Sequence, residues 1–227
     1  MFDLGRSFIG SVERNPRALA IVDGGQRLTY AEWYAEICRV IDGLAAEGLR
    51  KGDHLAVVLL NRLAMASVHW ACQLAGIIVT PLNWRIKSEE LDYCLTDAEA
   101  RAVVFEEASA AAIAGSNTAP RLPRIAVGGA PGGSCDFESF ASTGRQHTPR
   151  AGSEDFSLLF YTSGTTGRPK GVPRRHRAER AAALAHVAQN LYGIGERTLG
   201  AMPLYHTKRR SGSTVPLCGP DGIASAN

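Results

Sequence analysis

Hydrophobic positions near the start of the chain change from the period of a strand to the period of a helix. Residues 20–23 and 26–29 predict two short strands, with Gly24 and Gly25 forming a tight turn between them. Thr29 and Glu32 match a capping box, so a helix is expected to begin there. Apolar residues then recur every three to four positions and predict an amphipathic helix that ends near Gly48: Trp33, Ile37, Val40, Ile41 and Leu44.

Continuous apolar runs follow, and helical segments separate them. Residues 55–60, 76–81 and 102–105 are short and apolar throughout, which predicts strands covered on both faces. Residues 62–75 suit a buried helix, and Ser88 is expected to cap a short helix before the third run. Alternating strands and helices predict right-handed crossovers and an α/β fold, a layered, mostly parallel sheet with flanking helices.

The second half of the chain is less regular. Residues 108–114 predict a short helix and residues 124–127 predict one more strand. The rest of this region, up to residue 152, is rich in Gly, Pro, Ser and Thr, so we place the main subdivision of the chain there. Residues 156–161 form another apolar run, and residues 178–191 predict an Ala-rich helix that Gly193 ends.

Composition narrows the possible classes of protein. The chain has 227 residues, of which 45% are hydrophobic and 21% charged, so disorder and collagen-like repeats are excluded for most of it. The net charge of +3 gives no argument for nucleic acid or a membrane partner. No apolar run reaches the roughly 18 residues of a membrane span, and the charged N-terminus is unlike a signal peptide. A cytoplasmic protein without an integral membrane segment is expected.

The cysteines support that expectation. They are dispersed and odd in number, and none forms a CxxC pair: Cys38, Cys72, Cys94, Cys135 and Cys218. Such a set is typical of small core residues in a reducing compartment, and it argues against a disulfide framework and a zinc site.

The most informative stretch is residues 162–171, TSGTTGRPKG, directly after an apolar run. Its glycines permit positive φ, and consecutive N–H groups in such a loop can bind an anion. Hydroxyl donors and one mobile positive charge lie within it: Ser163, Thr165, Thr166 and Lys170. Together they suit nucleotide phosphates, although Pro169 before the lysine departs from the usual P-loop pattern. A surface turn with incidental hydroxyls is the alternative interpretation.

This string resembles the phosphate-loop signature of the adenylate-forming superfamily, which includes acyl-CoA synthetases, luciferases and the adenylation domains of peptide synthetases. Residues 28–32 (LTYAE), 76–83 (GIIVTPLN) and 202–207 (MPLYHT) resemble further motifs of that family in the same order. The resemblance covers roughly residues 1–207, which are therefore expected to form a partial N-terminal AMP-binding (adenylation) domain.

The resemblance implies a chemistry. Such enzymes activate a carboxylate with ATP to an acyl-adenylate, release pyrophosphate, and mostly pass the acyl group to a thiol. The β- and γ-phosphates would be held by Thr162, Ser163, Gly164, Thr165, Thr166, Gly167 and Lys170. His206 resembles the family's aromatic-or-His gate between the adenylate and acyl pockets and is the candidate catalytic residue; a structural histidine is the alternative. ATP, Mg²⁺ and CoA are the implied cofactors, and the metal ligands remain unassigned.

Basic residues are concentrated beside the proposed phosphate loop. Residues 168–180 contain one acidic residue, Glu179, and six basic ones: Arg168, Lys170, Arg174, Arg175, Arg177 and Arg180. An anionic ligand is one interpretation, and a solvated helix start is the other. The segment has neither the interleaved aromatics nor the groove-fitting motif that nucleic-acid binding requires.

The resemblance ends before the last residues. Family members are more than twice this long, and their ribose-binding Asp, Thr-Glu pair, hinge and catalytic Lys would follow residue 207. Residues 208–227 are polar, rich in Gly and Pro and without periodicity, which predicts a disordered tail. A truncated or frame-shifted synthetase without pyrophosphate exchange is one hypothesis. A non-catalytic nucleotide-binding remnant and a domain that loads a carrier protein are the alternatives. Fatty, aromatic and dicarboxylic acids all remain compatible as substrates.

Overall fold

The computed structural model describes residues 3–162, 168–193, 195–199, 204–205 and 223–225. The helices of this part are α1 (Leu4–Arg14), α2 (Tyr30–Ala46), α3 (Leu63–Ala75), α4 (Ser88–Asp97), α5 (Glu107–Ala114) and α6 (His176–Asn190). The strands are β1 (Leu19–Asp23), β2 (Gln26–Thr29), β3 (His54–Val58), β4 (Ile78–Pro81), β5 (Ala100–Glu106), β6 (Arg124–Val127), β7 (Cys135–Asp136), β8 (Phe156–Thr162), β9 (Lys170–Arg175), β10 (Thr198–Leu199) and β11 (Ile223–Ser225). Within these ranges no helix has both the length and the apolar character to cross a bilayer.

A seven-stranded sheet organises the molecule. Its strand order is β7-β6-β5-β3-β4-β8-β9, and every neighbouring pair is parallel except β8 with β9. This confirms the predicted α/β fold with a mostly parallel sheet. Strand β5, before residues 108–152, and strand β8, after them, belong to this one sheet, so the subdivision placed in that region is wrong.

Two apolar layers cover the faces of the sheet, which explains the continuous apolar runs. Alternate residues of one strand enter opposite layers: Val57 of β3 lies in one core cluster and Val58 in the other. Helices α2 and α3 pack on the first face, where the ring of Phe8 stacks on that of Trp70 at 4.7 Å. Helices α4 and α5 cover the second face.

The predicted helix boundaries are partly right. The capping box of α2 is present, since the Thr29 N–H donates to Glu32 Oε2 at 2.8 Å and the Glu32 N–H donates to Thr29 Oγ1 at 3.3 Å. Ser88 does not cap α4. Lys87 holds the extended cap conformation, which makes Ser88 the first helical residue. Helix α6 ends at Asn190, and its C-cap is Leu191 with a left-handed φ of 55°, rather than Gly193.

Four of the described strands were not predicted from the sequence: β7, β9, β10 and β11. The basic segment Lys170–Arg175 is β9, an edge strand antiparallel to β8, and an edge position tolerates Pro173 because a missing N–H there breaks no ladder. Strand β11 lies in the predicted disordered tail, yet Ile223–Ser225 pairs in parallel with β1 in a four-stranded sheet of order β10-β11-β1-β2. For these three residues the expectation of disorder does not hold, and residues 208–222 lie outside the described part.

Candidate phosphate site

The hairpin of β8 and β9 brings the two ends of the TSGTTGRPKG string together. The strand register pairs Thr162 with Lys170 and Tyr161 with Gly171. The Thr162 hydroxyl also donates to the Lys170 carbonyl at 3.5 Å. Two predicted phosphate-binding residues that are eight positions apart therefore stand side by side at the carboxyl end of β8.

The predicted site residues that fall outside the described residues are Ser163, Gly164, Thr165, Thr166, Gly167 and the candidate catalytic residue His206. Their assignment stays a prediction from sequence.

The charges at the mouth of the hairpin suit an anion. Lys170 is exposed, and its ammonium forms no ion pair with any residue that the structure describes. Arg168 is also exposed, and its guanidinium carbon lies 5.8 Å from the centre of the Tyr93 ring. An exposed lysine that is not ion-paired within the described part of the chain can offset the negative charge of a phosphate chain.

The hairpin is tied to helix α4 at Tyr161, next to the mouth. The Tyr161 hydroxyl donates to Asp97 Oδ2 at 2.7 Å, with the Cys94 carbonyl 3.4 Å away. The rings of Tyr161 and Tyr93 meet edge to face, with centroids 6.4 Å apart. Burial, with Asp97 beside it, raises the pKa of Tyr161, so the hydroxyl keeps the proton that it donates. No sequence pattern indicates this contact, because Tyr161 and Asp97 are 64 positions apart along the chain.

Gly171 lies beside the Tyr161–Asp97 contact, where there is little room for a side chain. A Cβ at this position would lie 3.2 Å from Leu159 Cδ1, 3.5 Å from Asp97 Oδ2 and 3.6 Å from Tyr161 Cε1. Glycine therefore lets β9 lie close to β8 and to the end of α4. This gives the last glycine of the string a packing role in addition to any role in binding.

A second group of polar contacts fixes the carboxyl end of β3. The Glu106 carboxylate accepts from the Leu60 N–H at 2.5 Å and from the Arg62 guanidinium at 2.6 Å. On the other side, the Leu63 N–H at the start of α3 donates to Asp23 Oδ2 at 2.7 Å. The turn between β3 and α3 is thus held by two carboxylates, and Asn61 lies between these anchors.

Asn61 links this turn to the MPLYHT motif. Its Oδ1 accepts from the Leu204 N–H at 2.8 Å, and the Leu204 side chain packs against the main core. Strands β3 and β8 both flank β4 and run parallel to it, so the turn after β3 and the phosphate hairpin lie at the same edge of the sheet. In open α/β sheets ligands bind outside the carboxyl ends of the strands, so this edge is the candidate site.

The basic cluster is mostly structural. Arg174 pairs with Glu179 at 2.5 Å, and Arg177 pairs with Glu154 at 3.3 Å. Arg175 donates to the Glu154 carbonyl and covers the Phe156 ring at 4.7 Å; Arg180 donates to Ser7 Oγ at 3.1 Å. These four arginines contact protein groups, which neither the anionic-ligand interpretation nor the solvated-helix interpretation predicted. Arg168 and Lys170 remain for an anion.

The described residues contain no group of three or more His, Cys, Asp and Glu side chains that could hold a metal ion. Four cysteines are free thiols: Cys38, Cys72, Cys94 and Cys135. Burial raises the pKa of Cys72 and of Cys94, so these two thiols are protonated near neutral pH and unsuited to nucleophilic chemistry.

Comparison with known proteins places this geometry in a family. A sequence profile of AMP-binding enzymes matches residues 8–219. A feruloyl-CoA synthase of an Amycolatopsis species is 34% identical over 203 residues, with 89% of this chain and 39% of the relative covered. The long-chain-fatty-acid–CoA ligase FadD13 of Mycobacterium tuberculosis (strain CDC 1551 / Oshkosh) is 29% identical over 203 residues, covering 85% of this chain and 39% of the ligase.

The fold has a close counterpart among solved structures. An inhibitor-bound N-terminal domain of FACL13 from Mycobacterium tuberculosis superposes with a TM-score of 0.87 at 24% identity, covering 100% of this chain and 57% of that one. The chain spans about 39% of the length of the two curated relatives described above. These comparisons show the N-terminal domain of an adenylate-forming enzyme as the fold.

Proposed function

Because the chain belongs to the AMP-binding enzyme family, we propose that its β8–β9 hairpin holds the phosphates of ATP during the activation of a carboxylic acid. The observation that carries the proposal is the pairing of Thr162 with Lys170 at the mouth of the hairpin. It brings a hydroxyl-bearing residue next to an exposed lysine that has no ion pair among the described residues. The two residues fit a polyphosphate, since charge-assisted contacts to phosphate oxygens are the strongest hydrogen bonds available at such a site.

The reaction proposed for the whole protein is the AMP-forming ligation of an acid to CoA. ATP, with Mg²⁺, supplies the phosphoanhydride whose cleavage makes the acid reactive. This chain's own part is electrostatic: an anionic carboxylate must approach a polyanion, and fixed cations and N–H donors lower that barrier. Lys170 supplies charge, the loop after Thr162 supplies donors, and the rigid sheet edge supplies position. The Thr162 hydroxyl can donate to a phosphate when it releases the Lys170 carbonyl, to which it is bonded at 3.5 Å.

The names of the relatives indicate only in part which acid is the substrate and which thiol accepts the acyl group. The two curated relatives are named for feruloyl-CoA and long-chain fatty acids, so a carboxylate is the chemistry they share. Both are named as CoA ligases or synthases, which favours CoA over a carrier protein as acceptor. His206 is proposed as the gate between the adenylate and acyl pockets, and we place the protein in the cytoplasm, where the free thiols stay reduced.

Nucleotide binding is the direct test for these 227 residues. Calorimetric titration of the folded chain with magnesium and a non-hydrolysable ATP analogue is expected to give heat and a measurable Kd. Lys170→Ala should weaken that Kd by about tenfold or more, as expected for one lost charged hydrogen bond. Lys87→Ala, which removes an exposed lysine outside the hairpin, should leave it unchanged. Absence of heat from a chain with a native circular dichroism spectrum would refute the proposal.

Exchange of radiolabelled pyrophosphate into ATP separates the ligase from a nucleotide-binding remnant. A polypeptide that carries the complete reaction catalyses exchange only when its acid is present. We expect none from the 227 residues alone, because they correspond to 39% of the relatives' length. Carboxylate-dependent exchange by this chain would show that it is itself sufficient for adenylation.

A further inference from the structure

We propose that Asp97 positions the phosphate hairpin by accepting the hydroxyl hydrogen of Tyr161. The inference rests on the proposed function and adds a positioning residue to it. The Tyr161 hydroxyl lies 2.7 Å from Asp97 Oδ2, and Tyr161 immediately precedes Thr162 at the mouth of the hairpin. A contact at this point acts on the two backbone positions from which the phosphate loop leaves and returns.

Helix α4 is a firm support for such a contact. Leu91, Cys94 and Leu95 of this helix are buried in the second core cluster. Ala98, directly after Asp97, is buried in a small cluster with Ile78 of β4. Asp97 therefore lies at the end of a helix that is anchored in the core. Buried residues of α4 precede it, and a buried alanine follows it directly.

The hairpin needs support from outside itself at this position. Tyr161 pairs across the strands with Gly171, which has no side chain to pack against it. In a regular antiparallel ladder, side chains of opposite residues stabilise each other, and this pair lacks that contribution. The hydroxyl bond to Asp97 and the edge contact with Tyr93 replace it from the side of α4.

The expected consequence is preorganisation. A hairpin whose strands are already held together at its mouth loses less conformational entropy when the nucleotide binds. Loss of the hydroxyl bond should let β9 separate from β8 more often near Gly171, and nucleotide affinity should fall without any change in the charged groups. A residue that only stabilises the global fold would lower the melting temperature and leave the affinity of the folded fraction unchanged.

The test compares Tyr161→Phe with Tyr93→Phe. The first removes the bonded hydroxyl and keeps the ring; the second removes a hydroxyl from the partner ring, for which the described structure shows no hydrogen bond. Tyr161→Phe should speed amide exchange over residues 170–172 by about fivefold and weaken the Kd for the magnesium-loaded ATP analogue by a similar factor. Tyr93→Phe should change neither.

Substitutions at Asp97 test the acceptor of the same hydrogen bond. Asp97→Asn keeps an oxygen that can accept from Tyr161 and should stay close to the unsubstituted chain, whereas Asp97→Ala should match Tyr161→Phe. The double variant Asp97→Ala/Tyr161→Phe should be no worse than either single change, because both remove the same bond. Full additivity of the two losses would contradict a shared contact.

The two measurements keep this inference distinct from the proposed function. If the unsubstituted chain binds no nucleotide, the proposed function fails, and amide exchange over residues 170–172 still decides whether the contact holds the hairpin. Exchange in Tyr161→Phe equal to that in the unsubstituted chain would overturn the inference. Unchanged affinity in Tyr161→Phe, measured on a chain that binds the analogue, would overturn it as well.

Discussion

Asn61 Oδ1 accepts a hydrogen bond from the backbone N–H of Leu204 at 2.8 Å, across 143 positions of sequence. The bond joins the turn after β3 to the motif that contains His206. Because Glu106 and Asp23 hold the same turn from both sides, Asn61 is a fixed acceptor rather than a mobile surface amide. It connects the sheet edge that carries the phosphate hairpin with the segment that we propose as the gate.

Asn61→Ala is therefore expected to loosen the Leu204 segment. The net value of one such hydrogen bond, about 1 kcal/mol, corresponds to roughly fivefold faster exchange of the Leu204 amide. Mass spectrometry of deuterium uptake in a peptide that spans residues 203–205 measures this directly. Asn83→Ala is the control, because Asn83 Oδ1 accepts only from the nearby Arg85 N–H among the described contacts. Equal uptake in the Asn61 variant and the unsubstituted chain would disprove the anchoring role.

Glu106→Ala should be among the most destabilising charge removals. The carboxylate is 4% exposed and accepts from both Leu60 and Arg62, so its loss leaves a shielded N–H and a half-buried guanidinium without their partner. We expect the free energy of unfolding in urea to fall by about 2–4 kcal/mol.

Glu154→Ala is the matched control for that substitution. Its ion pair with Arg177 is solvent-exposed on both sides, and such pairs contribute about 0–1 kcal/mol. Comparable losses in the Glu106 and Glu154 variants would show that burial does not distinguish the two carboxylates.

Gly43→Ala tests the packing of α2 against the loop after β7. A Cβ on Gly43 would lie 2.1 Å from Cδ2 of Phe140, which is itself buried, so the ring must move. Overpacking of this kind costs about 1–3 kcal/mol. Adding Phe140→Leu should restore part of the loss by making room.

For Gly10→Ala, at another helical glycine, we expect the opposite effect on stability. A Cβ there meets nothing within 4 Å, so the gain in helix propensity should stabilise the chain by about 0.5–1 kcal/mol. Urea denaturation of both glycine variants gives the comparison. A stabilised Gly43 variant would mean that Phe140 moves aside at little cost.

Stability should fall on mild acidification because of two buried histidines. Burial lowers the pKa of His69 to about 3, with His176 adding to the effect, and burial lowers the pKa of His176 as well. His69 stays neutral in the fold at pH 5, and His176 takes up its proton at a lower pH in the fold than in the unfolded chain, whose histidines are protonated below about pH 6.5. Unfolding is therefore favoured progressively below that pH, by about 2 kcal/mol at pH 5 from His69 alone.

Carboxylates affect the free energy of unfolding at lower pH, so they do not obscure the histidine effect between pH 7 and pH 5. Although burial raises it, hydrogen bonds led by that from Ser116 lower the pKa of Asp92 to about 2. Its contribution is present at neutral pH and is lost only below about pH 4. Urea denaturation at pH 7, 6 and 5 should show the decline, and His69→Met should flatten it. A proton NMR titration of His69 with a midpoint near 6.5 would contradict the explanation even if that variant fails to fold.

Local pattern predicted most helices and the central strands. The apolar runs around Val57, Val79 and Val104 are β3, β4 and β5, because strands buried on both faces cannot alternate with polar residues. The capping box at Thr29 is a contact between near neighbours, so sequence was sufficient to place it. The N-cap of α4 was predicted one position too late, at Ser88 instead of Lys87, because the cap depends on backbone angles that composition does not reveal.

Strand β9 shows where local pattern fails. Lys170–Arg175 is basic and contains a proline, both unfavourable for a central strand, and it forms a strand only because β8 offers an unpaired edge beside it. The basic cluster was likewise ambiguous in sequence, because the partners of the arginines come from distant segments such as Ser7 and Glu154.

By itself, the sequence determined the class of fold, the family resemblance and the residue types offered to a phosphate, because these depend on the order and spacing of neighbouring residues. Only the tertiary structure decided that Thr162 faces Lys170, that Tyr161 is held by Asp97 and that Asn61 reaches Leu204. The physical reason is that hydrogen bonds and ion pairs between distant residues exist only after the sheet has brought their elements together. Hydrophobic periodicity records which face is buried, but not which partner lies on the other side.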